Sequence, residues 1–175
     1  MPEHDLRYPI GPFSLPKDPS ADDRTVAIDA ITKAPDALKI AVAGLTEEQI
    51  DTPYRPDGWT VRQLVHHIPD SHLNAYIRMK LTVTEDEPTI VTYDQNEWAH
   101  LPDATGRIDT SVTLLDTLHE RWVVFLRTLP DDAWSRLLNH PEIGKIRLDQ
   151  LLALYGWHGA HHVAHITGLR AREGW

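Results

Sequence analysis

The chain of 175 residues contains no cysteine. Disulfide bonds, thiolate metal ligands and a cysteine nucleophile are therefore excluded, so any thiol chemistry would need a thiol carried by a substrate. No stretch approaches the roughly 20 apolar residues of a membrane-spanning helix, and residues 1–5 lack the basic start and apolar core of a signal peptide. We therefore expect a cytoplasmic protein with no membrane partner.

Basic residues are also scarce. Lysine and arginine number 17 against 26 acidic residues, which gives a formal net charge of −9. Because phosphate groups are bound by a positively charged face, this balance argues against a nucleic-acid partner and against an anionic membrane surface. With 41% hydrophobic residues the chain is long enough for one domain with a substantial core, and we expect residues 1–175 to form it.

Proline and glycine divide the sequence into segments. Residues 1–20 hold six of them and predict an extended N-terminal arm. Residues 85–108 have few periodic apolar positions and predict a long crossover loop. Outside these two stretches, four segments repeat apolar residues at helical spacing, which predicts an all-α fold, an antiparallel four-helix bundle. The four segments begin and end at about 22–44, 61–83, 110–129 and 148–172.

Two prolines lie inside predicted helices, Pro35 in the first and Pro69 in the second. Because an interior proline removes a backbone donor and crowds the preceding turn, we expect Pro69 to bend its helix and Pro35 to kink or divide the first segment. A shorter helical piece is expected at about 131–137, between the third and the last helix.

Histidine is abundant: the chain has 11, and four of them fall within eight positions of the last predicted helix. His158 and His162 are four residues apart, the spacing that lets imidazoles on successive turns reach one ion. Burying several imidazoles costs free energy unless each nitrogen has a partner, and a metal satisfies several at once. A helical wheel supports this interpretation, because one inward stripe contains Leu151, Tyr155, His158, His162, His165 and Leu169.

A third ligand is expected from another helix, because two ligands make a poor site. The second helix offers His67 or His72, between which the wheel does not choose, and His66 could support a ligand or lie on the surface. Asp70 could orient a ligand or act as a catalytic proton acceptor, although an aspartate on a helix surface often has neither role. The remaining histidines are expected to be ordinary surface or loop residues: His4, His100, His119 and His140.

Several segments of the chain resemble the DinB/YfiT family, and the similarity spans nearly the whole sequence. The segments that carry it include Asp51–Arg55, Gly58–Gln63, His66–His72 and Trp157–Ile166. Their combination is specific, whereas any one segment alone would be a weak signal. The resemblance implies a DinB-type bundle, a homodimer and one divalent metal per chain, zinc or nickel. Carried over by position, the metal ligands are His67, His158 and His162, a set that selects His67 over His72. Three protein ligands leave a coordination position open, which is typical of catalytic sites.

Members of this branch are named metal-dependent hydrolases, whereas relatives in the wider superfamily transfer low-molecular-weight thiols such as bacillithiol to electrophiles. We therefore expect an enzyme that transfers such a thiol to a small-molecule substrate. A hydrolase that uses metal-activated water is the alternative, and a non-enzymatic metal- or ligand-binding bundle is a second one. Arg55, Arg62 or Arg78 could bind carboxylates of the thiol, and Trp59 and Trp157 could line the cavity, although surface charge and core packing are the ordinary roles of such residues.

Overall fold

Four long helices carry most of the chain. The computed structural model describes residues 5–175, and in it the long helices are α1 (Ala21–Val42), α3 (Val61–Thr84), α5 (Ile108–Arg127) and α6 (Leu148–Glu173). Two single-turn helices, α2 (Glu47–Ile50) and α4 (Gln95–Trp98), lie in the connections. The predicted four-helix bundle is confirmed. Among the described residues, no helix combines the length and the apolar character that a membrane crossing requires.

Local hydrogen bonds explain where the helices begin and end. Thr60 and Gln63 form a capping box at the start of α3, in which each side chain bonds the backbone N–H of the other residue. At the other end of the chain, Gly174 takes the left-handed conformation (φ 74°) that closes α6, which glycine adopts without steric cost.

The long helices pack in an order that differs from their order along the chain. α1 packs against α5 and α6, and α3 packs against the same two helices. Within residues 5–175, α1 and α3 do not pack closely on one another, and neither do α5 and α6, so these pairs lie on the diagonals of the bundle. α3 and α6, the two helices that carry the predicted ligands, are therefore direct neighbours.

Two apolar clusters fill the bundle, one toward each end. The first includes Ile31, Met79, Trp122 and Leu151, and the second includes Leu38, Leu64, Leu115 and Ile166. Between the clusters lies a set of five imidazoles, which we call the histidine layer. It consists of His67 and His72 on α3, His119 on α5, and His158 and His162 on α6.

Neither interior proline divides its helix. α1 continues through the buried Pro35, contrary to the prediction that the first segment could be divided there, and α3 continues through the buried Pro69. Both prolines face the packed interior, where the burial of the ring offsets part of the cost of the lost backbone hydrogen bond.

The connection between α3 and α5 contains more structure than predicted. Besides α4, residues 85–107 contain a 3-10 turn at Pro102–Thr105. The backbone of Pro88 and Ile90 is hydrogen-bonded to Asn139. These bonds fasten the start of the crossover to the connection between α5 and α6. α5 begins at Ile108 and ends at Arg127, about two residues earlier than predicted at each end.

The helical piece predicted at about 131–137 is only partly correct. A 3-10 turn covers Asp131–Ser135, and an antiparallel hairpin follows, formed by β1 (Leu137–His140) and β2 (Gly144–Arg147). Gly144 has a positive φ of 80° at the turn, a conformation that glycine supplies. The strands are too short for an alternating apolar pattern to be distinguished in the sequence.

Residues 5–20 form an arm without a helix, as predicted, in which two turns, Asp5–Tyr8 and Tyr8–Gly11, precede a stretch without regular structure. Residues 1–4, including His4, lie outside the described residues. The arm lies on α6, where the ring of Phe13 is 5.7 Å from that of Trp157. Gln150 and Arg147 hold it by hydrogen bonds to the carbonyls of Pro16 and Lys17.

A glycine allows α1 and α6 to approach closely. A Cβ atom at Gly156 would lie 2.9 Å from the Cα and Cβ atoms of Ala27 on α1. At Gly168, also on α6, the nearest atom to such a Cβ would be the flexible end of Arg172 at 3.5 Å.

We predict opposite effects on stability at these two glycines. Gly156→Ala should lower the free energy of unfolding by about 1–2 kcal/mol, because the steric cost of overpacking exceeds the gain in helix propensity. Gly168→Ala should raise it by up to about 1 kcal/mol, because only the propensity changes. Urea unfolding of both variants measures this, and equal effects would show that the helices can separate at Gly156 without cost.

Candidate metal centre

Three histidines from two neighbouring helices converge. His67 on α3 and His158 and His162 on α6 each present a ring nitrogen, and these nitrogens lie within 4.8 Å of one another. Trp59 packs against the ring of His67 at 4.8 Å between centroids. The structure therefore brings together the three side chains that the sequence proposed as ligands.

The donor atoms fit a small divalent cation. Nε2 of His67 and Nε2 of His158 are 3.3 Å apart. Two nitrogens bound to one tetrahedral zinc at 2.0–2.1 Å would be separated by about 3.3 Å, the same spacing. Nδ1 of His162 is buried and has no hydrogen-bond partner among residues 5–175, so this ring has a nitrogen that the protein leaves unsatisfied.

The electrostatics keep these imidazoles neutral. Burial lowers the pKa of His67 to about 4. Burial, reinforced by the neighbouring imidazoles, lowers the pKa of His158 and of His162 well below the usual 6.5. At neutral pH all three rings are therefore in the form that offers a lone pair to a cation.

Two further histidines extend from His158 across the bundle. Nδ1 of His158 lies 3.1 Å from Nε2 of His72, and Nδ1 of His72 lies 2.8 Å from Nε2 of His119. Nδ1 of His119 lies 2.6 Å from the carbonyl oxygen of Ile31. His119 is 2% exposed, so its prediction as a surface histidine was wrong. Its spacing of four residues from Leu115 and three from Trp122, both on the buried face of α5, was the signal available in the sequence.

A second set of histidines lies close together on α6 alone. The donor atoms of His161, His162 and His165 are also within 4.8 Å of one another, and the set shares His162 with the first. One ring nitrogen of His165 already has a hydrogen-bond partner, because its Nε2 lies 3.2 Å from the carbonyl of Arg7. The ring of His161 is stacked on Trp157. The set drawn from two helices is therefore the better candidate for a catalytic ion.

A cavity of about 400 Å³ opens beside the first set. His158 and Ser71 line it, and the hydroxyl of Ser71 is 3.4 Å from Nε2 of His158. Tyr93, Arg78 and His140 also line it. The cavity is large enough for a small organic molecule that contacts His158.

Asp70 does not line this cavity. It lies on a separate pocket with His66 and Asp103, and burial, with a smaller effect of Asp103, raises its pKa to about 6. Within residues 5–175, no hydrogen bond joins its carboxylate to an imidazole. His66 contacts Ser111 and the carbonyl of Gly106, which ties α3 to the start of α5.

The three arginines proposed for substrate binding occupy different places. Arg62 is paired with Asp51 at 2.6 Å and with Glu47, and Arg55 contacts the hydroxyl of Tyr54. Arg62 lies in the first turn of α3 and Arg55 lies in the connection that precedes it, and neither lines the cavity. Arg78 alone of the three lines the cavity, together with Tyr93 and His140, while Trp157 lies under the N-terminal arm.

Comparison with known proteins gives consistent matches. A model of the DinB superfamily matches residues 30–166. The chain is 47% identical to a Bacillus cereus (strain B4264) protein named "Putative metal-dependent hydrolase", over 98% of this chain and 99% of that one. A protein of the same name from Bacillus thuringiensis subsp. konkukian (strain 97-27) is 46% identical over the same shares.

A solved structure also matches over the whole described fold. It is YfiT from Bacillus subtilis, described as "a probable metal-dependent hydrolase with an unusual four-helix bundle topology". The TM-score is 0.94 at 45% sequence identity, and the match covers 98% of this chain and 99% of YfiT.

Proposed function

The chain belongs to the DinB superfamily, and from that premise we propose that it is a metal-dependent enzyme whose divalent cation is held by His67, His158 and His162. The observation that carries the proposal is the convergence of these three rings beside a cavity that His158 lines and that admits a small molecule. Zinc and nickel are the proposed ions, because neutral imidazoles suit both.

A divalent cation in this position would act as a Lewis acid and lower the pKa of a bound water or thiol. The protein supplies the surroundings for that chemistry. Three neutral ligands would leave the full charge of the cation uncompensated. The ring of Trp59 packs against the ring of His67. Ser71, 3.4 Å from Nε2 of His158, is placed to contact a substrate atom that binds there.

Hydrolysis of a small-molecule substrate is the reaction we favour. The names of the relatives in Bacillus cereus and Bacillus thuringiensis, at 46–47% identity over nearly the full length, support it. Transfer of a low-molecular-weight thiol is the second candidate, and one observation favours it. Asp70, the proposed proton acceptor for hydrolysis, lies outside the cavity, whereas a thiol bound as its thiolate needs no such base during attack.

Arg78 favours a substrate that carries an anionic group. Its side chain is buried and lines the cavity, and within residues 5–175 no carboxylate lies within ion-pair distance of it. Nη2 donates to the carbonyl of Val91 at 2.7 Å, while Nε is buried without a partner. A buried guanidinium without a counterion is costly, and a bound carboxylate or phosphate would relieve that cost.

The anion is expected to be small and singly charged. Asp94 and Glu142 are exposed and also line the cavity, so a highly charged ligand would meet repulsion there. Arg78 follows Ser71 by seven residues on α3, a rise of about 10 Å along the helix. We therefore expect about 10 Å between the anionic group of the substrate and its reacting bond.

Turnover of a panel of esters, amides and activated electrophiles, with and without added thiols, tests the reaction. We expect metal-dependent turnover by the wild type without a thiol, and background rates for His158→Ala. His100→Ala is the matched control, because His100 is exposed on the crossover, and it should retain full activity.

Two other outcomes of this assay would change the assignment. Turnover that requires bacillithiol or another thiol would replace hydrolysis by thiol transfer. Equal turnover by the wild type and His158→Ala would contradict a catalytic role for the ion and leave a non-enzymatic ligand-binding bundle.

Binding of simple anions tests the role of Arg78. Benzoate and benzenesulfonate should bind the wild type saturably and at least about tenfold more weakly to Arg78→Met, because a charge-assisted hydrogen bond contributes about 1.5–3 kcal/mol. Calorimetry measures both, and benzamide is the neutral control ligand. Arg55→Met, which removes a cation away from the cavity, should bind like the wild type, and equal binding of benzamide would contradict recognition by charge.

A homodimer is part of the proposal as well. It was expected from the family resemblance, and sedimentation of the purified chain measures it.

A further inference from the structure

A row of three hydrogen bonds runs from His158 through His72 and His119 to the carbonyl of Ile31. The protein fixes which atom donates and which accepts in each of them. Nδ1 of His119 lies 2.6 Å from the carbonyl oxygen of Ile31. A carbonyl only accepts hydrogen bonds, so Nδ1 of His119 must carry a proton and donate it. This end of the row of imidazoles is therefore fixed.

Pro35 explains why that carbonyl is available. In an α-helix the carbonyl of residue 31 would accept a hydrogen bond from the N–H of residue 35. Proline has no N–H, so α1 leaves the carbonyl of Ile31 without its usual donor at the level of the histidine layer. His119, on the neighbouring helix α5, supplies the missing donor.

The direction is transmitted through neutral rings. His119 and His72 are 2% and 0% exposed and lie between two apolar clusters, where an imidazolium would be costly. A neutral imidazole with a proton on Nδ1 has a lone pair on Nε2. Nε2 of His119 therefore accepts from Nδ1 of His72 at 2.8 Å, and Nε2 of His72 accepts from Nδ1 of His158 at 3.1 Å.

The row ends at the proposed metal ligand. With its proton on Nδ1, His158 has an unprotonated Nε2, the atom that lies 3.3 Å from Nε2 of His67. We infer that His72 and His119, anchored on the carbonyl that Pro35 leaves free, are positioning residues that hold His158 in the tautomer whose Nε2 faces the cation. In many metal sites a carboxylate or carbonyl contacts the ligand directly, and here two imidazoles connect the ligand to a carbonyl on another helix.

The inference rests on the proposed function for the identity of the ligand, but the tautomer is a property of the metal-free chain and can be measured there. Long-range proton–nitrogen NMR spectra of the chelated full-length chain report which nitrogen of each ring is protonated. We expect protons on Nδ1 of His119, His72 and His158. A proton on Nε2 of His158 in the wild type would overturn the inference, whatever the metal content of the protein.

Two substitutions of His119 separate positioning from packing. His119→Leu fills the space but leaves Nδ1 of His72 without an acceptor, so the affinity for zinc, measured by chelator competition, should fall by about 10–100-fold. His119→Gln places an amide oxygen where it can accept from His72 and should recover most of the affinity. His100→Leu, which changes an exposed histidine outside the row and outside both histidine sets, should bind zinc like the wild type.

Pro35→Ala tests the anchor itself. It gives the carbonyl of Ile31 its helical donor, so the proton on Nδ1 of His119 should shift upfield and zinc affinity should fall by less than in His119→Leu. Unchanged zinc affinity in folded His119→Leu would overturn the inference, as would an unchanged His119 proton shift in Pro35→Ala. A wild type that binds no zinc but shows the expected tautomers would contradict the proposed function and leave this inference standing.

Discussion

The structure depends on one constraint: every ring nitrogen in a buried layer of imidazoles needs a hydrogen-bond partner or a metal ion. Five histidines lie between two apolar clusters, where each unsatisfied ring nitrogen would cost free energy. The protein meets this requirement on one side with the row from His158 to the carbonyl of Ile31. On the other side, the nitrogens of His67, His158 and His162 converge, and a cation is the partner that completes them.

The bundle is arranged so that the layer can form. α3 and α6 are direct neighbours because the consecutive helices α1 and α3 lie on a diagonal. Gly156 brings α1 against α6, and Gly159, whose Cβ would lie 3.3 Å from the ring of His72, makes room for that imidazole. The absence of side chains at these two positions of α6 therefore links helix packing to the site.

Periodicity predicted the long helices well because each buries one continuous apolar face, and the i, i+4 spacing of His158 and His162 marked them as candidates. The wheel left His67 and His72 open, since both are buried and the two differ only in what they contact across the bundle. His119 was missed because a lone histidine on α5 has no local partner to mark it. Pro35 was expected to kink or divide a helix, whereas its consequence, a free carbonyl facing α5, depends on tertiary contact.

Metal content of the purified chain and of single-histidine variants, measured by mass spectrometry, distinguishes a site shared by α3 and α6 from a site on α6 alone. A cation on His67, His158 and His162 requires one divalent ion per wild-type chain, its loss in His67→Ala and in His158→Ala, and its retention in His161→Ala, since His161 belongs only to the second set on α6. Loss of the ion in His161→Ala with retention in His158→Ala would place the metal on α6 alone and rule out the shared site.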